Sequence, residues 1–440
     1  MAVLGRMMAI GNKLRSNRAK LGRLIELFEL QQGATLFSVR FMTLAFGLLQ
    51  SMMLARWMSV GDFGTSGAIS ITYALIAGIG GFGIEFFVFG GLGGGRPAWA
   101  LGVTRRYFRE VTRIRTLTSL IFALGGVLWF LWRRYQGDVS LRQLGPGVLG
   151  VIMFCFGSSV VDFFRNVAQV QGRYRLLAWH YFIFECILRF LPILAYSRFG
   201  ISWFWALNGL VSIGAWVHLR DQLSDMRGGR PLRGRSSVYR RCLWQGGIGI
   251  LRFGYLRGDE AICMSFAGNE AFALFLVAKR LSTLVQTVCD MLIAHSWGRV
   301  FHGAAESPVD LSRRVRVFTW FTLISVVPVC IVFAVARTLL VDLYSGGKYP
   351  GAAEFVPWLS LGIATYFLSV PFSTFLQARR RFAAVFLISA LHSGIVLAIS
   401  WWMLHFGHFR FLGVAQVAGG IGVLVAAHLI TRRYLYPRAR

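Results

Sequence analysis

Acidic residues are scarce in this chain. Its 440 residues include 18 Asp and Glu against 47 Lys and Arg, and 15% of residues are charged, where a soluble domain would carry roughly 25%. A surface solvated all round is therefore excluded. Lysine is nearly missing as well, with 4 Lys beside 43 Arg. There is no Cys-x-x-Cys pair: the six cysteines, Cys155, Cys186, Cys242, Cys263, Cys289 and Cys330, are scattered in or beside apolar stretches without metal-ligand spacing, which leaves them as packing residues. No Gly-x-x-x-x-Gly-Lys-Ser/Thr loop is present, so the chain is no P-loop ATPase. The glycine run Gly90–Gly95 lies between apolar segments, not between a strand and a helix, and no basic loop holds an Asp-x-Asp. Neither a cofactor, a metal nor a catalytic residue is expected.

What remains is apolar. Hydrophobic residues make up 56% of the chain and the mean hydropathy is +0.58. They fall in blocks of about twenty, the length that carries a helix across the ~30 Å hydrocarbon core of a bilayer. The pattern predicts an all-α polytopic membrane protein with twelve spans, at residues 37–58, 67–91, 117–132, 146–164, 177–197, 200–219, 243–266, 271–297, 317–336, 355–376, 382–406 and 411–430. Glycine- or proline-containing breaks fall at Gly61–Gly64, Gly93–Pro97, Gly145-Pro146, Gly228–Pro231 and Gly346–Pro350.

The excess of positive charge has a topological origin. With the N-terminus placed inside and the spans alternating, 33 basic residues fall on inner segments, 8 on outer ones and 6 within spans. That asymmetry is the positive-inside pattern. It predicts cytoplasmic termini on both sides of an even span count, and it accounts for the net charge of +29 without nucleic acid. The longest internal polar stretch separates two halves. The domain plan is thus a basic amphipathic segment at 1–36, a six-helix lobe at 37–219, a basic cytoplasmic linker at 220–242, a second six-helix lobe at 243–432 and a tail at 433–440. The N-terminal segment reads as a helix lying on an anionic membrane surface.

Charges within spans are costly, about 2.5–3.5 kcal/mol at the bilayer centre on insertion scales, so each one needs a partner or a wet cavity. Glu185 and Arg189, four residues apart on the fifth span, can pair structurally. The seventh span carries Arg252, Arg257, Asp259 and Glu260 among five glycines, the eighth carries Lys279 and Arg280, and the first carries Arg40. Two readings of these stay open. The charges neutralise one another inside the protein, or Arg40, Arg252, Arg257, Asp259, Lys279 and Arg280 line a cavity that binds an anionic substrate, where arginine forks grip phosphate oxygens.

Four segments carry a family resemblance. They are Leu54-Ala55-Arg56-Trp57-Met58-Ser59-Val60-Gly61-Asp62-Phe63-Gly64, then Asp259 through Ala278-Lys279-Arg280-Leu281, then Leu343-Tyr344-Ser345-Gly346-Gly347-Lys348-Tyr349-Pro350, and Leu376-Gln377-Ala378-Arg379-Arg380-Arg381. In order and spacing the chain resembles polysaccharide exporters of the multidrug/oligosaccharidyl-lipid/polysaccharide (MOP) superfamily, the O-antigen and exopolysaccharide flippases above all. The resemblance implies a MATE-like pair of six-helix lobes around a cavity that opens alternately to each side of a bacterial inner membrane. The implied substrate is an undecaprenyl-diphosphate-linked oligosaccharide, with membrane lipids, a polysaccharide polymerase and chain-length machinery as partners. A drug/cation antiporter of the same superfamily and a membrane polysaccharide polymerase or ligase are the competing readings. The first would favour acidic cavity residues, the second a large outer loop with catalytic Arg or His.

Overall fold

The computed structural model describes residues 30–80, 112–126, 147–170, 173–224, 235–302, 308–379 and 381–435. Residues 1–29 of the amphipathic segment expected at 1–36 and the breaks at Gly93–Pro97, Gly145-Pro146 and Gly228–Pro231 lie outside them, while 30–36 belong to the first helix. All regular structure among the described residues is helical: α1 (Leu30–Trp57), α2 (Val60–Gly80), α3 (112–126), α4 (Gly147–Val170), α5 (Tyr174–His180, a π-helical stretch Tyr181–Ile187, then Phe190–Phe199), α6 (Ile201–Gln222), α7 (Arg235–Phe266), α8 (Asn269–His302), α9 (Pro308–Val335), α10 (Arg337–Ser345), α11 (Val356–Ala378), α12 (Phe382–His405) and α13 (Val414–Leu435). The described parts of the predicted spans are helical, residues 81–91 and 127–132 of two of them lying outside the described residues, and seven of the helices are long and apolar enough to cross a membrane by length and composition.

Three differences from the sequence reading have local causes. The residues Gly61–Gly64, expected as a break, form the first turn of α2. The turn shrinks to Met58-Ser59 because the Ser59 hydroxyl accepts the Asp62 backbone N–H at 3.1 Å, capping the helix start, where the carboxylate of Asp62 is also favoured by the helix dipole. The stretch between the ninth and tenth spans is not all loop. It holds α10, which ends where Gly346 takes a left-handed conformation (φ 65°) that a residue with a Cβ rarely adopts. The linker between halves is helical at both ends, since α6 runs to Gln222 and α7 starts at Arg235.

Glycine holds the helices together within each half. On α4, a Cβ at Gly150 would stand 2.2 Å from the carbonyl oxygen of Trp205 on α6, and one at Gly209 would meet the Gly150 carbonyl at 2.5 Å. The second half repeats the device. On α13 a Cβ at Gly420 would lie 2.1 Å from Thr365 Oγ1 of α11, and one at Gly362 would lie 2.6 Å from Gln416 Cβ. Small residues let backbones approach in membranes, where lipid tails provide no hydrophobic drive for association. The two seams join the fourth span to the sixth and the tenth to the twelfth, equivalent places in the two halves.

The halves meet along α2, which packs on α7 and α8. Gly67 lies against Leu276 and Phe272 of α8. One apolar core runs across the junction, with Ala55, Met58, Phe63 and Ile69 from the first half and Phe272, Phe275, Leu276, Tyr344 and Tyr349 from the second.

The seams give a first prediction. Gly150→Ala should lower the thermal unfolding midpoint of the detergent-purified protein, with a cost of about 1–3 kcal/mol for overpacking. Gly47→Ala, where a Cβ meets nothing within 4 Å, should leave the midpoint unchanged or raised. Equal midpoints for the two variants would mean that the seam is not a constraint.

Candidate functional site

The buried charges of the second half are engaged with one another. On α7, Asp259 and Glu260 are fully buried. Lys279 of α8 reaches Asp259 Oδ2 at 2.6 Å. Gln416 of α13 donates to the same oxygen at 2.9 Å and to the Tyr255 carbonyl at 2.9 Å, while the Glu260 backbone N–H donates to Asp259 Oδ1 at 2.9 Å. The neighbouring Glu260 accepts from Arg257 through both of its oxygens, at 2.8 and 3.0 Å. Arg257, Asp259 and Lys279, expected among the residues that face an anionic substrate, are thus tied up inside the protein. The helical spacing explains the Arg257–Glu260 pair, since residues three apart share a face. The Lys279–Asp259 pair is tertiary and depends on how α7, α8 and α13 dock.

Of the other residues singled out, Arg252 is exposed on α7, and the side chain of Arg40 lies outside the described residues. Arg280 is the one placed between the halves. Its guanidinium donates to Ser51 Oγ of α1 at 3.2 Å and stands over the Phe63 ring of α2, 5.4 Å from the centroid, a cation–π distance. Among the described residues it has no carboxylate partner. It sits eleven residues into α8, roughly 16 Å along the helix at 1.5 Å per residue, about half the depth of the hydrocarbon core.

Above Arg280 the junction is closed by polar contacts in a reciprocal arrangement. The Arg56 guanidinium, at the end of α1, donates to the carbonyl of Leu343 near the end of α10. The Lys348 ammonium, just past α10, donates to the carbonyl of Met58 just past α1. Each half supplies a cation to the helix C-terminus of the other, where unpaired carbonyls and the helix dipole favour positive charge. Ser51 and Tyr344 join hydroxyl to hydroxyl, and Phe63 packs on Tyr349 with centroids 5.7 Å apart. Within the first half, Tyr196 donates to Asp62 Oδ2 at 2.8 Å and accepts the Ser59 N–H at 3.1 Å, fixing the α1–α2 turn.

A second polar cluster lies inside the first half, at the π-helical stretch of α5. Glu185 is held by Arg189, Nε to Oε2 at 2.7 Å, and by Arg165 of α4. Arg165 also reaches Asp162 at 3.4 Å and donates to His180 Nε2 at 3.2 Å, and Tyr73 of α2 donates to Asp162 Oδ2 at 2.7 Å. Tyr73, Asp162, Arg165, Glu185 and Arg189 line a small cleft together with Ser158 and Ser212. Two cations and two carboxylates leave it near neutral. Arg165 and Asp162 are central to this cluster. Among the described residues no group of three or more His, Cys, Asp or Glu stands close enough to hold a metal.

No family model matches the chain, and no curated protein matches it in sequence. Solved structures match it in shape. A variant of the Vibrio cholerae MATE transporter VcmN superimposes with a TM-score of 0.68 at 14% identity, covering 95% of this chain and 98% of that one. The eukaryotic MATE transporter AtDTX14 gives 0.64 at 16% identity, with 95% and 99% covered. An outward-facing multidrug resistance MATE family transporter of the MOP superfamily gives 0.66 at 13% identity, with 94% and 98% covered. An inward-facing one gives 0.58 at 13%, with 92% and 100% covered. The chain therefore has the MATE fold, a multi-pass all-helical membrane architecture solved in conformations facing either way.

The Asp259–Lys279 contact gives a second prediction. Removing one partner of a buried ion pair strands the other charge and costs about 3–5 kcal/mol, whereas replacing both is often neutral. Lys279→Met should therefore lower the unfolding midpoint sharply, and Lys279→Met combined with Asp259→Leu should recover most of the loss. A double variant as unstable as the single one would place the damage elsewhere than in the stranded carboxylate.

Proposed function

We propose that the chain is an alternating-access transporter that carries a lipid-diphosphate-linked oligosaccharide across the bacterial inner membrane. The MATE fold by itself fits a drug/cation antiporter equally well. What favours an anionic substrate is Arg280. The carboxylates of α7, Asp259 and Glu260, are consumed by Lys279 and Arg257, so no acidic group is left over in that cluster to bind a cationic drug. Arg280, on the junction between the halves, is held among the described residues by hydroxyls, those of Ser51 and Tyr344, and by an aromatic face. These are contacts that a phosphate group replaces with a stronger, charge-assisted fork.

The closed end defines one of the two states that such a cycle requires. Arg56, Lys348, Ser51 and Tyr344 bind mostly backbone carbonyls and hydroxyls, groups that water satisfies when the halves part. Separation there would uncover Ser51 and Phe63, and with them the guanidinium of Arg280. The undecaprenyl carrier, and partnership with a polymerase and chain-length machinery, follow from the sequence resemblance and belong to the same proposal.

The test is transport of a fluorescent polyprenyl-diphosphate saccharide in vesicles containing the purified protein. Charge-assisted hydrogen bonds of about 1.5–3 kcal/mol correspond to roughly ten- to hundredfold in affinity. Arg280→Ala should cost at least that order of magnitude. Arg280→Lys should cost nearly as much, because an ammonium lacks the planar fork. Wild-type transport by Arg280→Ala at equal protein level would overturn the proposal, and efflux of a cationic drug that survives Arg280→Ala would favour the antiporter.

A further inference from the structure

We propose that α10 is a membrane-interface helix, seated in the phospholipid leaflet at the closed end with Leu339 and Leu343 among the acyl chains. The helix has three sides, which follow from a rotation of about 100° per residue. One side is protein: Val341, Tyr344 and Ser345 are buried, and Leu340 packs on the core that joins the halves. The next is polar, with Thr338 and Asp342 exposed. The third is apolar yet uncovered: Leu339 is 62% and Leu343 53% exposed, four residues apart and so on one edge.

Two observations name the occupant of that edge. The first is continuity. The preceding helix α9 spans Arg313–Val335 with mean hydropathy 2.3 and is 22% buried, so its outer face of Ile324, Ile331 and Val332 is a lipid face. It ends at Val335, itself 81% exposed, and α10 begins two residues later, so Leu339 lies within about 6 Å of chain rise from that face. The second is the aromatic rim. Trp57 at the end of α1, Trp203 at the start of α6, Trp358 at the start of α11 and Trp402 at the end of α12 are all exposed at the end of the bundle where α10 lies. Trp358 contacts Phe411 across the α12–α13 turn, with centroids 6.5 Å apart. Exposed tryptophans at helix ends mark the head-group level of a bilayer. An amphipathic helix at that level, with one apolar edge, buries it in the acyl boundary.

The protein side of the same helix carries the closure. Tyr344 meets Ser51, and the Leu343 carbonyl accepts from Arg56. The leaflet that holds Leu339 and Leu343 therefore also steadies one jaw of the closed junction, whatever the transported molecule is.

The experiment places p-benzoylphenylalanine at position 339, 343 or 342 in the full-length protein. Each purified protein is reconstituted into vesicles of phosphatidylethanolamine and phosphatidylglycerol, irradiated and weighed intact. Positions 339 and 343 should gain the mass of one phospholipid at several times the yield of position 342, on the polar side. A covalent chain dimer from 339 and 343 would show that a second copy covers the edge and would overturn the proposal. So would lipid adducts no more abundant than at position 342. Because both positions are exposed, a bulky aromatic group fits at either, and the result at one stands if the other fails to fold.

Discussion

A charge surrounded by hydrocarbon has to be answered within a few ångströms, and the interior of this protein is arranged around that requirement. Asp259 receives Lys279, Gln416 and a backbone N–H. Glu260 receives Arg257. Glu185 receives two guanidiniums. Each of these sites draws on more than one turn or helix, so the pairs also record how the helices dock: α7 with α8 and α13, α4 with α5. Buried pairs are weak evidence for stability but good devices for fixing one arrangement over others. Arg280, on the junction, has no such carboxylate partner among the described residues, and it lies about eleven residues into its helix, deeper than Arg56 and Lys348 at their helix ends.

Two of the cations that sequence topology assigned to outer segments make contacts across the junction. Arg56 and Lys348 were countable as two of the 8 outer basic residues. Their exchange across the halves, each onto the carbonyl end of the other's helix, depends on the left-handed turn at Gly346 and Gly347 that brings Lys348 back toward Met58. This closure needs no carboxylate on either side, in keeping with a chain so poor in Asp and Glu.

The all-helical, membrane-spanning character of the fold could be read from the sequence, because membrane helices are specified by runs of about twenty apolar residues, and seven described helices have that length and composition. The glycine seams were not legible, since they need partners some fifty residues away. Of the site, the Arg257–Glu260 pairing was open to inference from spacing, and so was Glu185 with Arg189. The Lys279–Asp259–Gln416 group was not, since Gln416 lies 157 positions from Asp259 and periodicity says nothing about which helix faces which. The helix α10 was missed for a related reason: nine residues are too few to show a period, and Gly346-Gly347 beside it signals a turn. The π-helical stretch of α5 leaves no compositional mark at all.

The glycine seams have a mechanical consequence. Where backbone presses on backbone, as at Gly150 on Trp205 or Gly362 on the backbone of Gln416 and Val417, there is little side-chain layer that can change rotamer and let one helix slide along the other. Each half is stiff along its seam and yields elsewhere, at the junction of α2 with α7 and α8, where the contacts are made by Leu276, Phe272 and Phe63 and can be exchanged for others. Among the described residues the contacts that side-chain rotamers can remake thus gather at that junction, and those fixed by the backbone gather within the halves.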